Sequence, residues 1–482
     1  MKADFTKKLE NLNELFTEKM KEWKVPGTAV GIIKDGEIVH IGELGLKDVE
    51  KNLGVTQDTI FAIGSASKSF TSMAVAILVD EGKLDWDTPV KKYIPEFEMF
   101  DKVAGERITV RDMLCHRSGL PRHEFMWYNA PFTRKELVER VKYLEPNKDF
   151  RSVMQYNNQM FTTAGYLVQV VSGMTWEDFV RTRIFEPLGM NNSNFSVEVS
   201  KQSLDYGLPY TVKEEAAIRA DFVNIDIIGP AGSINSNLVD MFKWLKLLLN
   251  KGNVNGVQIV SEANLEEMYT IHMPSKVMPL KFNEVESVAY GLGWFIETYR
   301  GKRVINHGGN IDGFSALVSF IPSENLGVII LSNLNSNITT YAQSYYAYDL
   351  MLGMEYIDWS SKFKDEFDKL KEQAEVAEGK VTEEKAATVV SNLSHPLKDY
   401  TGVYNHPGYG LLKIEEDGGK LKLTFNNLEF EMKHEIYDIF TFEMTLLGAT
   451  FTVMFNMDCN GNFKSVSIPF EPTVKEIVFE RN

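Results

Sequence analysis

The chain has 482 residues, 44% of them hydrophobic and 24% charged, which excludes a disordered or fibrous protein and is too long for one ordinary core. Acidic residues outnumber basic ones by 67 to 51, a formal net charge of −16. Nucleic acid is therefore not an expected partner, because binding phosphate needs a basic face. The two cysteines, Cys115 and Cys459, are far apart and share no spacing with histidines, so neither a disulfide framework nor a thiolate zinc site is expected.

The first residues, MKADFTKKLENLNELFTEKMKEW, contain no continuous apolar stretch and do not read as a secretory signal. The apolar run Met73–Val79 is too short to cross a bilayer. A cytoplasmic protein without a membrane span is the expectation. Phe5, Leu9, Leu12, Phe16, Met20 and Trp23 recur at three- and four-residue steps and predict an amphipathic helix. Two apolar runs then flank Lys34-Asp35-Gly36, a tight hairpin signal. Residues from about 65 to 250 read as mostly helical, with loops at Pro and Gly. Strands are predicted at Gly291–Glu297, Arg303–Asn306, Phe314–Ile321 and Gly327–Asn333, with turns at 300–302 and 322–325.

Strands at both ends around a helical block imply one α/β (α+β) unit over residues 1–355, with an antiparallel sheet because hairpins join the strands and no βαβ repeat occurs. Residues 356–396, rich in Lys, Glu and Ala, read as a solvated helical connector. From 397 to 482 the period falls to two, as in Leu421, Leu423 and Phe425, with hairpin signals at Asp417-Gly418-Gly419 and Asn460-Gly461. A small all-β barrel is expected there.

Three segments carry chemistry. In Gly64-Ser65-Ala-Ser-Lys68 a flexible glycine precedes a helix start, where free N–H groups favour negative charge. Lys68 returns to the face of Ser65 three residues later and can act as its base once burial lowers its proton affinity. A second Ser-x-x-Lys, Ser361 to Lys364, lies in the polar connector and reads as an exposed helix start. Tyr156-Asn157-Asn158 precedes an apolar helix; a phenol can relay a proton and an amide can orient substrate or lysine. His307-Gly308-Gly309-Asn310 reads as a joint between two strands, where bare backbone lets substrate approach and the N–H of Asn310 can complete an oxyanion hole with that of Ser65. His116 and His123 read as loop residues that buttress the site, and His406-Pro-Gly408 as a plain loop.

In this order the three segments resemble the penicillin-recognising serine hydrolases of the class C β-lactamase type, which include DD-carboxypeptidases, D-aminopeptidases and esterases. The stretches Ile108–Pro121, Gly232–Asp240 and Tyr290-Gly-Leu-Gly-Trp294 strengthen the likeness. The resemblance covers roughly residues 10 to 350. It implies a helical subdomain against an antiparallel sheet, with Ser65 as nucleophile, Lys68 and Tyr156 as proton carriers and Asn158, His307, Gly308 and Gly309 as substrate-binding groups. It also implies an oxyanion hole at Ser65 and Asn310, His307 contacting a substrate carboxylate, and neither metal nor organic cofactor. β-Lactamases of this type have Lys-Thr-Gly where this chain has His307-Gly308-Gly309, which is more similar to the D-aminopeptidases and DD-peptidases. The C-terminal strands resemble the lipocalin-like domain of some such peptidases. The expected substrate is a short peptide containing D-residues, ahead of an ester or a β-lactam; a non-hydrolysing sensor or scaffold is the reading from another class. A homo-oligomer is left open.

Overall fold

The computed structural model describes residues 2–276, 282–385, 392–444 and 449–482; within these, the side chains of residues 2–8, 10 and 373–385 are not described. Helix α1 (Lys2–Glu22) buries Leu9, Leu12, Phe16 and Met20, the stripe its periodicity predicts; the Phe5 side chain lies outside the described residues. Strands β1 (Gly27–Lys34) and β2 (Glu37–Asp48) follow. Between them Asp35 and Gly36 have φ of 54° and 81°, the two left-handed positions that a tight hairpin of matching twist demands. Strand β3 (Leu53–Gly54) completes this end of the sheet.

The other strands are β4 (Met273–Pro274), β5 (Val285–Tyr290), β6 (Phe295–Tyr299), β7 (Lys302–Ile311), β8 (Phe314–Ile321) and β9 (Leu326–Ser332). The nine form one antiparallel sheet in the order β4-β5-β6-β7-β8-β9-β1-β2-β3. β8 runs as expected, whereas residues 291–294, read as the start of a strand, turn between β5 and β6. Gly293 takes a φ of 78° there and packs so closely on the helix carrying Lys68 that a Cβ would lie 2.3 Å from Ser72 Oγ. β7 runs five residues beyond its expected end, so His307-Gly308-Gly309 lies inside a strand and does not join two.

Both sheet faces are covered, which is why β9 reads as an unbroken apolar run. Ala29 and Ile33 of β1 face a core shared with α2 (Ser67–Asp80), α3 (Asn158–Ser172) and α4 (Leu238–Leu249). Val30 and Ile32 face a second core built with α1, α5 (Thr339–Leu352) and α6 (Trp359–Lys385). The segment between β3 and β4 is mainly helical as expected. It also holds a hairpin, Tyr210–Lys213 with Ala216–Arg219, whose turn uses Glu214 and Glu215 at φ of 50° and 62°, residues that give no turn signal. Among the described residues no helix is long and apolar enough to cross a membrane. Cys115 and Cys459 are free.

Beyond α6, eight strands close a barrel: β10 (Gly402–His406), β11 (Gly410–Asp417), β12 (Lys420–Phe425), β13 (Leu428–Ile436), β14 (Ile439–Met444), β15 (Ala449–Met457), β16 (Phe463–Ile468) and β17 (Ile477–Arg481). Its interior holds the buried side chains of Tyr404, Phe425, Phe440, Phe442, Phe455 and Phe479, which pack on one another as a core. The barrel is docked on the hydrolytic unit. Asn426 Nδ2 donates to the carbonyls of Phe125 (2.7 Å) and Tyr128 (3.0 Å), and the Phe125 ring packs on Phe451 and Phe470. His123 N donates to Glu471 Oε2 at 3.0 Å, and its ring meets Tyr409 Oη at 2.8 Å.

Candidate active site

Ser65 sits in a single 3₁₀ turn (Gly64–Ala66) that runs into α2. Gly64 has a φ of 51°, and a Cβ there would lie 2.9 Å from the backbone N of Asn310. A Cβ on Gly309 would lie 1.8 Å from the Ile63 carbonyl oxygen and 3.0 Å from the Ser65 N. Two glycines thus let the turn that carries Ser65 and β7 touch backbone to backbone, with the backbones of Ser65 and Asn310 close to the contact. The side chain of Asn310 is occupied elsewhere, accepting from Ser315 Oγ at 2.6 Å.

Lys68, the second residue of α2, is fully buried. Its Nζ lies 2.9 Å from Ser65 Oγ, 2.8 Å from Asn158 Oδ1 and 2.7 Å from the Ala231 carbonyl, and 4.8 Å from the centre of the Tyr156 ring. Burial drives its proton affinity well below the usual lysine value, the Arg122 guanidinium lowers it further, and the Glu124 carboxylate opposes both. A neutral amine keeps two N–H bonds and one lone pair. Asn158 Oδ1 and the Ala231 carbonyl can only accept, so they take the two hydrogens and the lone pair is left facing Ser65 Oγ.

Asn158 caps this arrangement from the start of α3. Its Nδ2 donates to Glu124 Oε1 at 3.2 Å, which fixes the amide so that Oδ1 faces Lys68. Tyr156 precedes α3, and burial pushes its phenol well above the usual value, with the hydrogen bond to Ser65 opposing this; it is held as the protonated phenol. The His116 ring packs at a tilt on Tyr156, with ring centres 4.3 Å apart, and accepts the Asn157 N–H through Nδ1, so it supports the phenol as expected.

His307 lies in β7 with Nε2 2.9 Å from Tyr290 Oη and Nδ1 2.6 Å from the Gly308 carbonyl. Burial, helped by Lys68, brings its pKa down to about 3. Nδ1–H therefore donates to Gly308 O, and Nε2 accepts from the tyrosine. The expectation that His307 contacts a substrate carboxylate meets a neutral imidazole with both nitrogens occupied; Arg122, 5.2 Å from the centre of the Tyr156 ring, is a cation that lines the cleft. Gly308 and Gly309 are in β7 as described. Ser361 is exposed and bonded to Asp358 at the start of α6; His406, expected in a loop, is the last residue of β10 and accepts the N–H groups of Gly408 and Tyr409 in the turn that follows.

These groups open on a cavity of about 390 Å³ lined by Ser65, Arg122, Tyr156, His307, Gly308 and Asn310. Its far side is formed by residues that no local pattern singled out, among them Glu297, Asn306, Tyr341, and Phe367 and Leu370 of α6. The connector helix is therefore part of the cavity wall. Arg122 and Glu124 were likewise not singled out; their only signal was proximity to His123. Among the described residues no group of three or more His, Cys, Asp and Glu side chains is placed to hold a metal ion.

Comparison with known proteins bears on the family and the fold. The Beta-lactamase family matches residues 12–350, and a Domain of unknown function (DUF3471) matches residues 386–481. The chain is 28% identical to an unguisins hydrolase of Aspergillus campestris, over 96% of this chain and 90% of that one. It is 26% identical to a penicillin-binding protein of Bacillus subtilis, over 71% of this chain and 75% of the relative. An octameric penicillin-binding protein homologue from Pyrococcus abyssi superposes with a TM-score of 0.62 at 25% identity, covering 98% of this chain and 99% of the other. The chain belongs to the beta-lactamase family and is a serine hydrolase.

Proposed function

We propose that the protein hydrolyses amide bonds in short peptides carrying D-residues, through an acyl-enzyme on Ser65. The observation that carries this reading is the 2.9 Å contact between Ser65 Oγ and a fully buried Lys68 amine whose other two partners only accept hydrogen bonds. Lys68 takes the hydroxyl proton as Oγ adds to the carbonyl carbon, and the amides of Ser65 and Asn310 hold the oxyanion. The Tyr156 phenol passes a proton to the departing nitrogen and the C–N bond breaks, leaving an ester on Ser65. Water, deprotonated by the same pair, then releases the acid and restores the hydroxyl.

Peptides are favoured as substrates by the free side of β7. β6 pairs with it only as far as Asn306, so His307–Ile311 present an edge on which an extended peptide can lie as an added strand. The His307-Gly308-Gly309 segment, similar to that of D-aminopeptidases and DD-peptidases, favours D-residues. A scaffold role is disfavoured by the joint presence of nucleophile, amine, phenol and imidazole around one cavity.

A fluorophosphonate should label the wild-type protein and not Ser65→Ala. Mass spectrometry of products from paired D- and L-dipeptides should then show cleavage of the D-series. Labelling that survives Ser65→Ala would remove Ser65 as nucleophile, and cleavage confined to L-peptides or to nitrophenyl esters would remove the proposed substrate class.

A further inference from the structure

The cavity beside Ser65 does not end at the nucleophile. Side chains alternate along a strand, so Asn306 and Gly308 face the side of β7 opposite to His307 and Gly309, and Glu297, whose partner in β6–β7 pairing is Val304, faces the same way as Asn306. Because β6 stops opposite Asn306, the cavity passes round the open edge of β7 into a back chamber. Gly308 leaves the passage open: a Cβ there would lie 2.8 Å from Tyr341 Oη. The chamber walls are Val288, Phe295, Tyr341 and Phe367.

Two polar groups sit among these apolar walls. Glu297 is only 3% exposed; the Tyr345 hydroxyl donates to its Oε1 at 3.1 Å, and the neighbouring Asn306 amide also favours its charged form. Among the described residues no lysine, arginine or histidine pairs with it, and burial raises its pKa to about 7. Asn306 is 2% exposed and lies beside the Glu297 carboxylate, but its Nδ2 completes no hydrogen bond of ordinary geometry. A buried carboxylate without a cation, beside a buried donor whose hydrogen bond is incomplete, is unfavourable unless a ligand completes the pair. Aromatic walls around a carboxylate suit an organic ammonium, which they can contact face-on while the acid neutralises it.

We infer that the back chamber is a specificity subsite in which Glu297 receives a substrate ammonium group and Asn306 donates to a carbonyl beside it. The assignment rests on this cleft being the substrate site. It makes the preferred substrates peptides with a free amine, either the N-terminus or a lysine side chain.

The test is calorimetric binding to full-length Ser65→Ala protein, so that it reads the subsite without needing the chemistry on Ser65. The probes are glycinamide, Nα-acetyl-lysinamide and N-acetylglycinamide. At least one of the two cations should bind about tenfold or more tightly than neutral N-acetylglycinamide, and which one does so identifies the amine recognised. Glu297→Gln, placed in the same Ser65→Ala protein, should remove that advantage, and Asn306→Ala should weaken glycinamide more than Nα-acetyl-lysinamide. The inference is overturned if the neutral probe binds as well as both cations, if none of the three binds, or if Glu297→Gln leaves the cation preference unchanged. The comparison of the three probes needs no substitution at Glu297, so poor folding of that variant does not protect the inference. Fluorophosphonate labelling of the wild-type protein reports separately on the role of Ser65.

Discussion

A lysine with its ordinary proton affinity is a cation at neutral pH and cannot accept the proton of Ser65. Burial of Lys68, with Arg122 nearby, lowers that affinity, which favours the free base that the proposed mechanism requires. The sign of the pH dependence follows. Below its pKa Lys68 is protonated and donates to Ser65 Oγ, so kcat/KM falls with acid. Arg122→Gln removes a like charge, stabilises the protonated amine and should move the acid limb to higher pH. Glu124→Gln removes an opposing charge and should move it lower. Lys68→Ala should reduce kcat by about 10²-fold or more, as expected for loss of a general base. Two pH–rate profiles that shift the same way, or a Lys68→Ala loss below tenfold, would take the base role from Lys68. Tyr156 cannot replace it, because burial raises its phenol and keeps it protonated.

At the scale of elements, the site depends on β7 lying directly against the turn that carries Ser65. Gly309→Ala would drive a methyl into the Ile63 carbonyl, 1.8 Å from the ideal Cβ, and must displace either the strand or the turn. A shift of about 1 Å between reacting groups is enough to lower kcat/KM by roughly 10²-fold. Gly54→Ala is the matched control, since its nearest neighbour is the Gly45 carbonyl oxygen at 3.9 Å. Kinetics and thermal unfolding of both variants check this; a Gly309→Ala enzyme within threefold of wild type would mean that the strand and the nucleophile are not coupled. The same segment shows what was legible in the sequence. Asp35-Gly36, Gly418-Gly419 and Gly461 marked their hairpins because their backbone needs positive φ. Ser65, Lys68, Tyr156, Asn158 and His307 were legible because their spacing and chemical types form a pattern. Two adjacent glycines after His307 looked like a turn, yet in β7 they serve close approach of another backbone. Glu124, Glu297 and Asn306 carried no local signal, since their surroundings come from distant segments. Phe367 and Leu370 were hidden in a connector whose composition is that of a solvated helix.

The whole molecule ties its C-terminal barrel to the front of the cleft. Asn426 and Glu471 of the barrel hold the loop around His123, and that loop carries both Arg122 and Glu124, the charges that act on Lys68. Through this contact the barrel is expected to influence the cleft. Asn426→Ala would take a buried donor from two carbonyls, at about 1–3 kcal/mol of local stability. Asn427→Ala removes one exposed bond, 3.1 Å to the Asn129 carbonyl, and should matter little. Hydrogen exchange in residues 122–130 should quicken in Asn426→Ala while the barrel strands stay protected. The activity of that variant should fall together with a displaced acid limb, because a loosened loop no longer holds Arg122 and Glu124 at fixed distances from the amine. Faster exchange with an unaltered pH profile would mean that the barrel supports the loop without tuning the base. Unaltered exchange would mean that the loop holds its shape without the barrel's hydrogen bonds.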